Sequence, residues 1–176
     1  MRIMKYVLVE ALLKGTGIED NSPEMAQVQH ICGFQRVPLK EIPVENYVQM
    51  LDWLAAHFYP ALARPAGLLQ VGVDFYKGYK LTILGRVQLA TFQMMGPDRL
   101  VQKFPEFATN NTNFGERWTE QRGLHDYMMA YRGIPLQPEY TLGIFKGALA
   151  DYDIVQPNLE YKQIGPEDYD YIIAWE

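Results

Sequence analysis

The sequence predicts an α+β domain in which N-terminal helices surround a long central helix and pack on a C-terminal four-stranded antiparallel sheet. Three observations predict it. Apolar residues recur at helical spacing as far as Phe104, and after Asn113 the period drops to that of a strand. The remaining segments then read strand, strand, helix, strand, strand, which is the order of an antiparallel sheet interrupted by one helix. At 176 residues the chain has the length of a single domain, taken as 1–176.

Met1 to Leu13, with Ile3, Val7, Leu8 and Leu12 on one side, reads as a first helix ending at Lys14-Gly15. Arg2 and Lys5 ahead of an apolar run imitate a signal peptide, but Glu10 interrupts the run and no small-residue cleavage site follows. Ser22-Pro23-Glu24 opens a second helix with a capping hydroxyl and a first-turn proline, and Gly33 closes it. Pro38 and Pro43 mark an extended connection. Val44 to Tyr59 is amphipathic, with Tyr47, Leu51, Leu54 and Phe58 on one side.

Ala66 to Met95 is the longest helical pattern, bounded by Pro65 and Gly96-Pro97, with Leu68, Gly72, Phe75, Tyr79, Thr82, Leu89 and Met95 sharing a face. Gly67, Gly72, Gly78 and Gly85 fall in it or at its edge, each interior one costing roughly 0.5–1 kcal/mol relative to alanine. Close packing of elements, a break near Gly78, or a ligand lying on bare backbone would each offset that cost. Pro97 to Leu100 starts a short helix ending near Phe104-Pro105, with Glu106 to Ala108 adding a further turn, and Thr109 to Asn113 reads as a turn. Phe114 to Gln121 and Leu124 to Tyr131 are strands joined across Arg122-Gly123. Gln137 to Leu149 is a helix. Asp153 to Ile164 and Tyr169 to Trp175 complete the sheet around Gly165-Pro166.

The totals narrow the chemistry. A net charge of −5 and a pI near 5.2 speak against the broad basic face that nucleic acid or anionic lipid requires. No apolar run approaches the roughly 18 residues of a membrane span. Cys32 is the only cysteine, which rules out an intrachain disulfide and a four-thiolate zinc site and makes the cytoplasm the expected compartment. His30, His57 and His125 lie in separate elements without metal-ligand spacing, so no metal residue is assigned. Ser22, the sole serine, already serves as a cap, and Cys32 reads as a small hydrophobe. No nucleophile with a neighbouring base can be named, so no catalytic residue is assigned and the chain is expected not to be an enzyme.

Phe58-Tyr59-Pro60, Gly78-Tyr79, Thr82 to Gly85, Gly96-Pro97-Asp98-Arg99, Asn113, Gly115, Tyr140 to Gly143 and Ala174-Trp175 follow in an order and spacing found in a bacterial family. In these the chain resembles an uncharacterised paralogous family first recognised in myxobacteria, a domain of unknown function. More distantly, Lys103-Phe104-Pro105-Glu106-Phe107 and Asn113-Phe114-Gly115-Glu116-Arg117 are similar to the proximal-histidine stretch of the haem nitric oxide/oxygen-binding fold, whose relatives include vinyl-reductase-like domains and vesicle-tethering subunits. That resemblance implies the fold. It also sets the proximal position on Gly115, which cannot ligate iron, and the sensors' Tyr-x-Ser-x-Arg propionate clamp matches only at Arg132, with Met128 and Ala130 in the Tyr and Ser positions. Haem held in the usual way is therefore not expected, and the cofactor stays unspecified.

Aromatic residues, Tyr59, Phe75, Phe92 and Tyr140 among them, gather near the glycine face either as core or as the wall of an apolar pocket. The residues assigned to a ligand are Gly78, Tyr79, Gly85, Trp118, Tyr127 and Arg132, with Arg117 as a second cation for an acidic ligand group. The expected function is a non-enzymatic sensory or regulatory domain that binds a hydrophobic or tetrapyrrole-like small molecule. The alternative is a protein-protein interaction module, a homodimer being one form of it, built on exposed aromatics and the terminal strand.

Overall fold

The chain opens as a strand, not as a helix. Ile3–Lys5 (β1) pairs antiparallel with Glu41–Pro43 (β2), and α1 (Val7–Thr16) starts only after it. The donors of this segment are taken by the loop near Asn111: Lys5 N donates to Asn111 O at 3.0 Å and Ile3 N to Asn113 Oδ1 at 2.8 Å. A ladder with distant partners thus overrides the local helical spacing of Ile3 and Val7. The computed structural model describes residues 1–34 and 40–176, with all their side chains except Phe92 and Gln93. The connection expected at Pro38 and the place of the Phe92 ring lie outside the described residues.

Helix α2 (Pro23–Cys32) begins as its sequence dictates, with Ser22 Oγ accepting from Met25 N at 3.1 Å. The amphipathic α3 (Val44–Phe58) follows β2 and buries Tyr47, Leu51 and Leu54. The long central helix divides into α4 (Arg64–Tyr79) and α5 (Ile83–Met95). Thr82 makes the division: its Oγ1 donates to Tyr79 O at 2.9 Å and accepts from Gly85 N at 2.9 Å, ending one helix and capping the next.

Helix α6 (Pro97–Asn110) runs straight through Pro105, where a stop was expected. A proline leaves the carbonyl four residues earlier without its helical donor. Here that carbonyl, Val101 O, receives Thr119 Oγ1 from the sheet at 3.5 Å, a long contact in the right place.

The sheet comprises β3 (Glu116–Gly123), β4 (Asp126–Arg132), β5 (Asn158–Gly165) and β6 (Asp168–Ala174), with α7 (Pro138–Ala150) between β4 and β5. Its order is β3-β4-β6-β5 and every pairing is antiparallel. The first hairpin turns at Leu124-His125, past the expected Arg122-Gly123, because a bulge between Gln121 and Gly123 shifts the register. Strand β6 has a neighbour on each side, so the terminal strand offers no free edge for a partner. Its register, Tyr169 opposite Tyr131, Tyr171 opposite Met129 and Ile173 opposite Tyr127, puts those six side chains on the buried inner face.

Glycine settles how the helices meet. On α4, a Cβ at Gly78 would lie 1.8 Å from Ala11 O of α1, and one at Gly15 would lie 1.9 Å from Asp74 O of α4. On another side, Gly72 would strike Tyr140 O of α7 at 2.1 Å and Gly143 would strike Leu69 O at 2.0 Å. Helix α4 is therefore clasped between α1 and α7, backbone on backbone, while α6 and α7 cover the sheet. No helix among the described residues is long and apolar enough to cross a membrane.

Gly72→Ala should lower stability by about 1–3 kcal/mol, a fall of roughly 2–12 °C in Tm for a domain of this size. Gly123→Ala, where a Cβ meets nothing nearer than 3.6 Å, is the matched control and should change little. Thermal melts of the two variants check this, and equal melting points would refute the crossing.

Candidate functional site

The inner faces of α4, α6 and α7 leave two adjoining apolar cavities, of about 40 Å³ and about 30 Å³. Both are walled by Phe75, Phe104, Phe107 and Ile144. The larger adds Tyr47, Tyr131, Tyr140 and Arg117, and the smaller adds Tyr79, Gln88, Leu89 and Leu100. Spacing on α6 turns Phe104 and Phe107 to the same side. Phe104 packs on Phe145 with ring centres 4.5 Å apart, and Phe107 meets Tyr79 edge-on at 5.0 Å.

Polar groups in this interior are few and mostly tied to one another. The hydroxyls of Tyr47 and Tyr140 lie 2.6 Å apart between fully buried rings, and burial pushes both phenols well above their ordinary range. Tyr79 donates to Gln88 Oε1 at 2.5 Å, joining α4 to α5. Arg117 is one exception. Its Nη1 donates to Phe114 O at 3.0 Å, but its Nε is buried and lacks an acceptor.

Residues 8–176 match a family model described as "Protein of unknown function (DUF2378)". The chain belongs to that family. No curated protein matches the sequence. Among solved structures, this DUF2378 chain is similar to an unliganded Fe(II) H-NOX protein from K. algicida, at 13% identity and a TM-score of 0.66 over 97% of this chain and 96% of that one. It is also similar to an S. oneidensis H-NOX protein in the Fe(II)NO ligation state, at 10% identity and a TM-score of 0.66, covering 97% and 98% of the two chains. A structure determined to probe haem distortion in the H-NOX family gives 12% identity and a TM-score of 0.71 over 98% and 95%. The DUF2378 chain thus has the H-NOX-like α+β fold.

Of the six residues assigned to a ligand from sequence, the cavities take in Tyr79. Gly78 is pressed on α1, and Gly85 lies under the Tyr79 carbonyl, 1.8 Å from where its Cβ would stand. Bare backbone is used for packing at both positions, not for a ligand. Trp118 and Arg132 do come together, with the guanidinium 5.2 Å from the indole ring, but on the outward face of the sheet, where Arg132 pairs with Asp170 at 2.7 Å. The clamp register Met128, Ala130, Arg132 therefore points away from the cavities, and the inward triplet is Tyr127, Met129 and Tyr131. Gly115, at φ +71°, sits beside Ile134 ahead of β3 and lines neither cavity. Sequence reasoning missed Tyr47, Phe104, Phe107 and Ile144 as wall residues. The spacing of Leu100, Phe104 and Phe107 carried the signal, obscured by reading Pro105 as a helix end.

Tyr127 belongs to a separate polar knot. Asp98, in the first turn of α6, accepts from the Tyr127 hydroxyl and lies 2.9 Å from His125 Nδ1, while Trp175 stacks on His125 and Tyr127. This ties the start of α6 to the β3-β4 hairpin and to the end of the chain. Among the described residues no group of three His, Cys, Asp or Glu is placed to hold a metal ion.

Burial raises the Asp98 carboxyl, but the hydrogen bonds from Tyr127 and His125 outweigh it and hold the group below the usual carboxylate range. A depressed folded value stabilises above the unfolded value of about 3.9 and is lost as pH falls through the folded one. Asp98→Asn should therefore cost about 1 kcal/mol or less at pH 7, since the group is partly exposed. The difference from the unmodified chain should narrow in acid, as pH falls through the folded value. Chemical denaturation at neutral and at acid pH measures it, and a gap unchanged in acid would exclude this account.

Proposed function

We propose that this chain is a non-enzymatic cytoplasmic sensory or regulatory domain that takes a small hydrophobic molecule between α4, α6 and α7, without histidine-ligated haem. The observation that carries the reading is the pair of adjoining apolar cavities in a fold shared with H-NOX proteins, some of which are described in Fe(II) and Fe(II)NO states. Haem needs an axial donor and a pocket on the scale of about 300–1,000 Å³. Among the described residues the cavity walls hold no histidine or cysteine, and the rings of Phe75, Phe104 and Phe107 line both cavities. These residues do not fit haem. The tetrapyrrole part of the sequence-based expectation gives way to a smaller molecule.

Supporting a regulatory role, the two least buried aromatic walls share one helix. Phe104 and Phe107 are half-buried on α6, which also packs against β3 and α5. A ligand that turns these rings aside changes the seating of α6 and so prefers one arrangement of the helix over another.

A spectrum of protein purified from its native host should lack a Soret band, and saturating benzene should stabilise the fold by about 1–3 kcal/mol. Phe104→Trp, by filling the shared wall, should abolish the benzene effect. A Soret band, or no stabilisation by benzene, overturns the reading.

A second reading, a protein-interaction module, is favoured by α5. Ile83 is 81% exposed, Val87 66% and Met94 90%, and Ile83, Leu84 and Val87 border a surface groove of about 530 Å³ with Lys5, Glu10 and Lys40. On this reading light scattering shows a concentration-dependent dimer that Ile83→Asp with Val87→Asp disrupts. A monomer at every concentration excludes the homodimer.

A further inference from the structure

Arg117 is a cation set in an apolar wall. It projects from the inner face of β3 into the larger cavity, its guanidinium carbon 5.3 Å from the centre of the Tyr131 ring and 5.7 Å from that of Phe114. Nη1 donates to Phe114 O and the guanidinium also interacts with the Tyr131 hydroxyl, while the Nε–H is buried with no acceptor. No ion pair among the described residues includes Arg117, although Arg2, Arg64 and Arg132, nearer the surface, each hold a carboxylate within 2.8 Å. Burial works against its charge and lowers its pKa. A largely buried cation without a counter-ion costs free energy, part of which an arriving anion recovers.

The surroundings narrow the anion further. A planar, singly charged head suits the Nε and Nη fork of one guanidinium and a room of about 40 Å³. A tetrahedral dianion brings more charge than the single cation there balances. Beyond the head the walls are apolar: Phe75, Phe104, Phe107 and Ile144 continue into the smaller cavity, toward Leu89 and Leu100. Phe104, Phe107, Ala108, Thr112 and Arg117 itself are the half-buried parts of the wall, so entry lies along α6 and the loop that follows it.

We propose that the ligand is an amphiphilic carboxylate, its head accepting from Arg117 Nε and its apolar tail lying past Phe104 and Phe107 into the second cavity. The proposal rests on the reading of this interior as a hydrophobic-ligand site and adds the charge. Titration calorimetry with sodium octanoate and with 1-octanol tests it. The unmodified chain should bind octanoate about tenfold to a hundredfold more tightly than the alcohol. Arg117→Met, of similar length but uncharged, should remove the preference and leave octanol binding in place. Arg117→Lys should keep part of it. Equal affinity for acid and alcohol overturns the carboxylate anchor and leaves the hydrophobic site standing, as does a preference for octanoate that survives in Arg117→Met. Binding of neither overturns both. Should Arg117→Met fail to fold, the acid-to-alcohol comparison on the unmodified chain decides by itself.

Discussion

The backbone of α4 touches the backbones of two other helices, and the remainder of the fold is arranged about that double contact. At Gly15 with Gly78 and at Gly72 with Gly143, a methyl group on either partner would overlap a carbonyl oxygen. Packing this close removes the layer of side chains that normally separates helices by 8–10 Å. It draws α1 and α7 onto α4 and brings their flanking large residues, Tyr140 and Phe75 among them, inward together. The unfavourable backbone entropy of the glycines is offset there, in contact between main chains.

What lies beside this clasp is an interior filled by aromatic rings. Edge-on, tilted and stacked contacts join Tyr47, Tyr140, Phe75, Tyr79, Phe107, Phe104 and Phe145 into one chain of rings. Interiors pack near crystal density, so the two small cavities mark where irregular rings fail to interlock. Helix α6 forms one wall of both. It is fixed at its start by the Asp98 knot and in its middle by Thr119, and its two phenylalanines are less deeply buried than the rest of the cluster. In this H-NOX-like fold the interior is occupied largely by the chain's own aromatic side chains, which leaves room for only a few atoms.

Much of the fold could be read directly from residues. Ser22 caps α2, the Gly165-Pro166 segment turns β5 into β6, and the alternation of Tyr169, Tyr171 and Ile173 with Asp170 gives the buried face of the last strand. The candidate site was far less legible. The place of Tyr79 in a cavity wall could be anticipated because it shares a helical face with Phe75 and Leu68, whereas Phe104 and Phe107 were hidden by a proline that ordinarily ends a helix.

By itself the sequence determined the class of fold and the type of nearly every element, because periodicity and caps are local properties. Tertiary structure decided what each of these meets. Whether Gly78 faces a ligand or another helix, and whether Pro105 ends α6, depends on a partner far along the chain: Ala11 O in one case and Thr119 Oγ1 in the other. The same holds for the strands. Adjacent residues point to opposite faces, so pairing alone turned Arg132 outward to Asp170 and left Arg117, on the neighbouring strand, facing the cavity without a counter-ion.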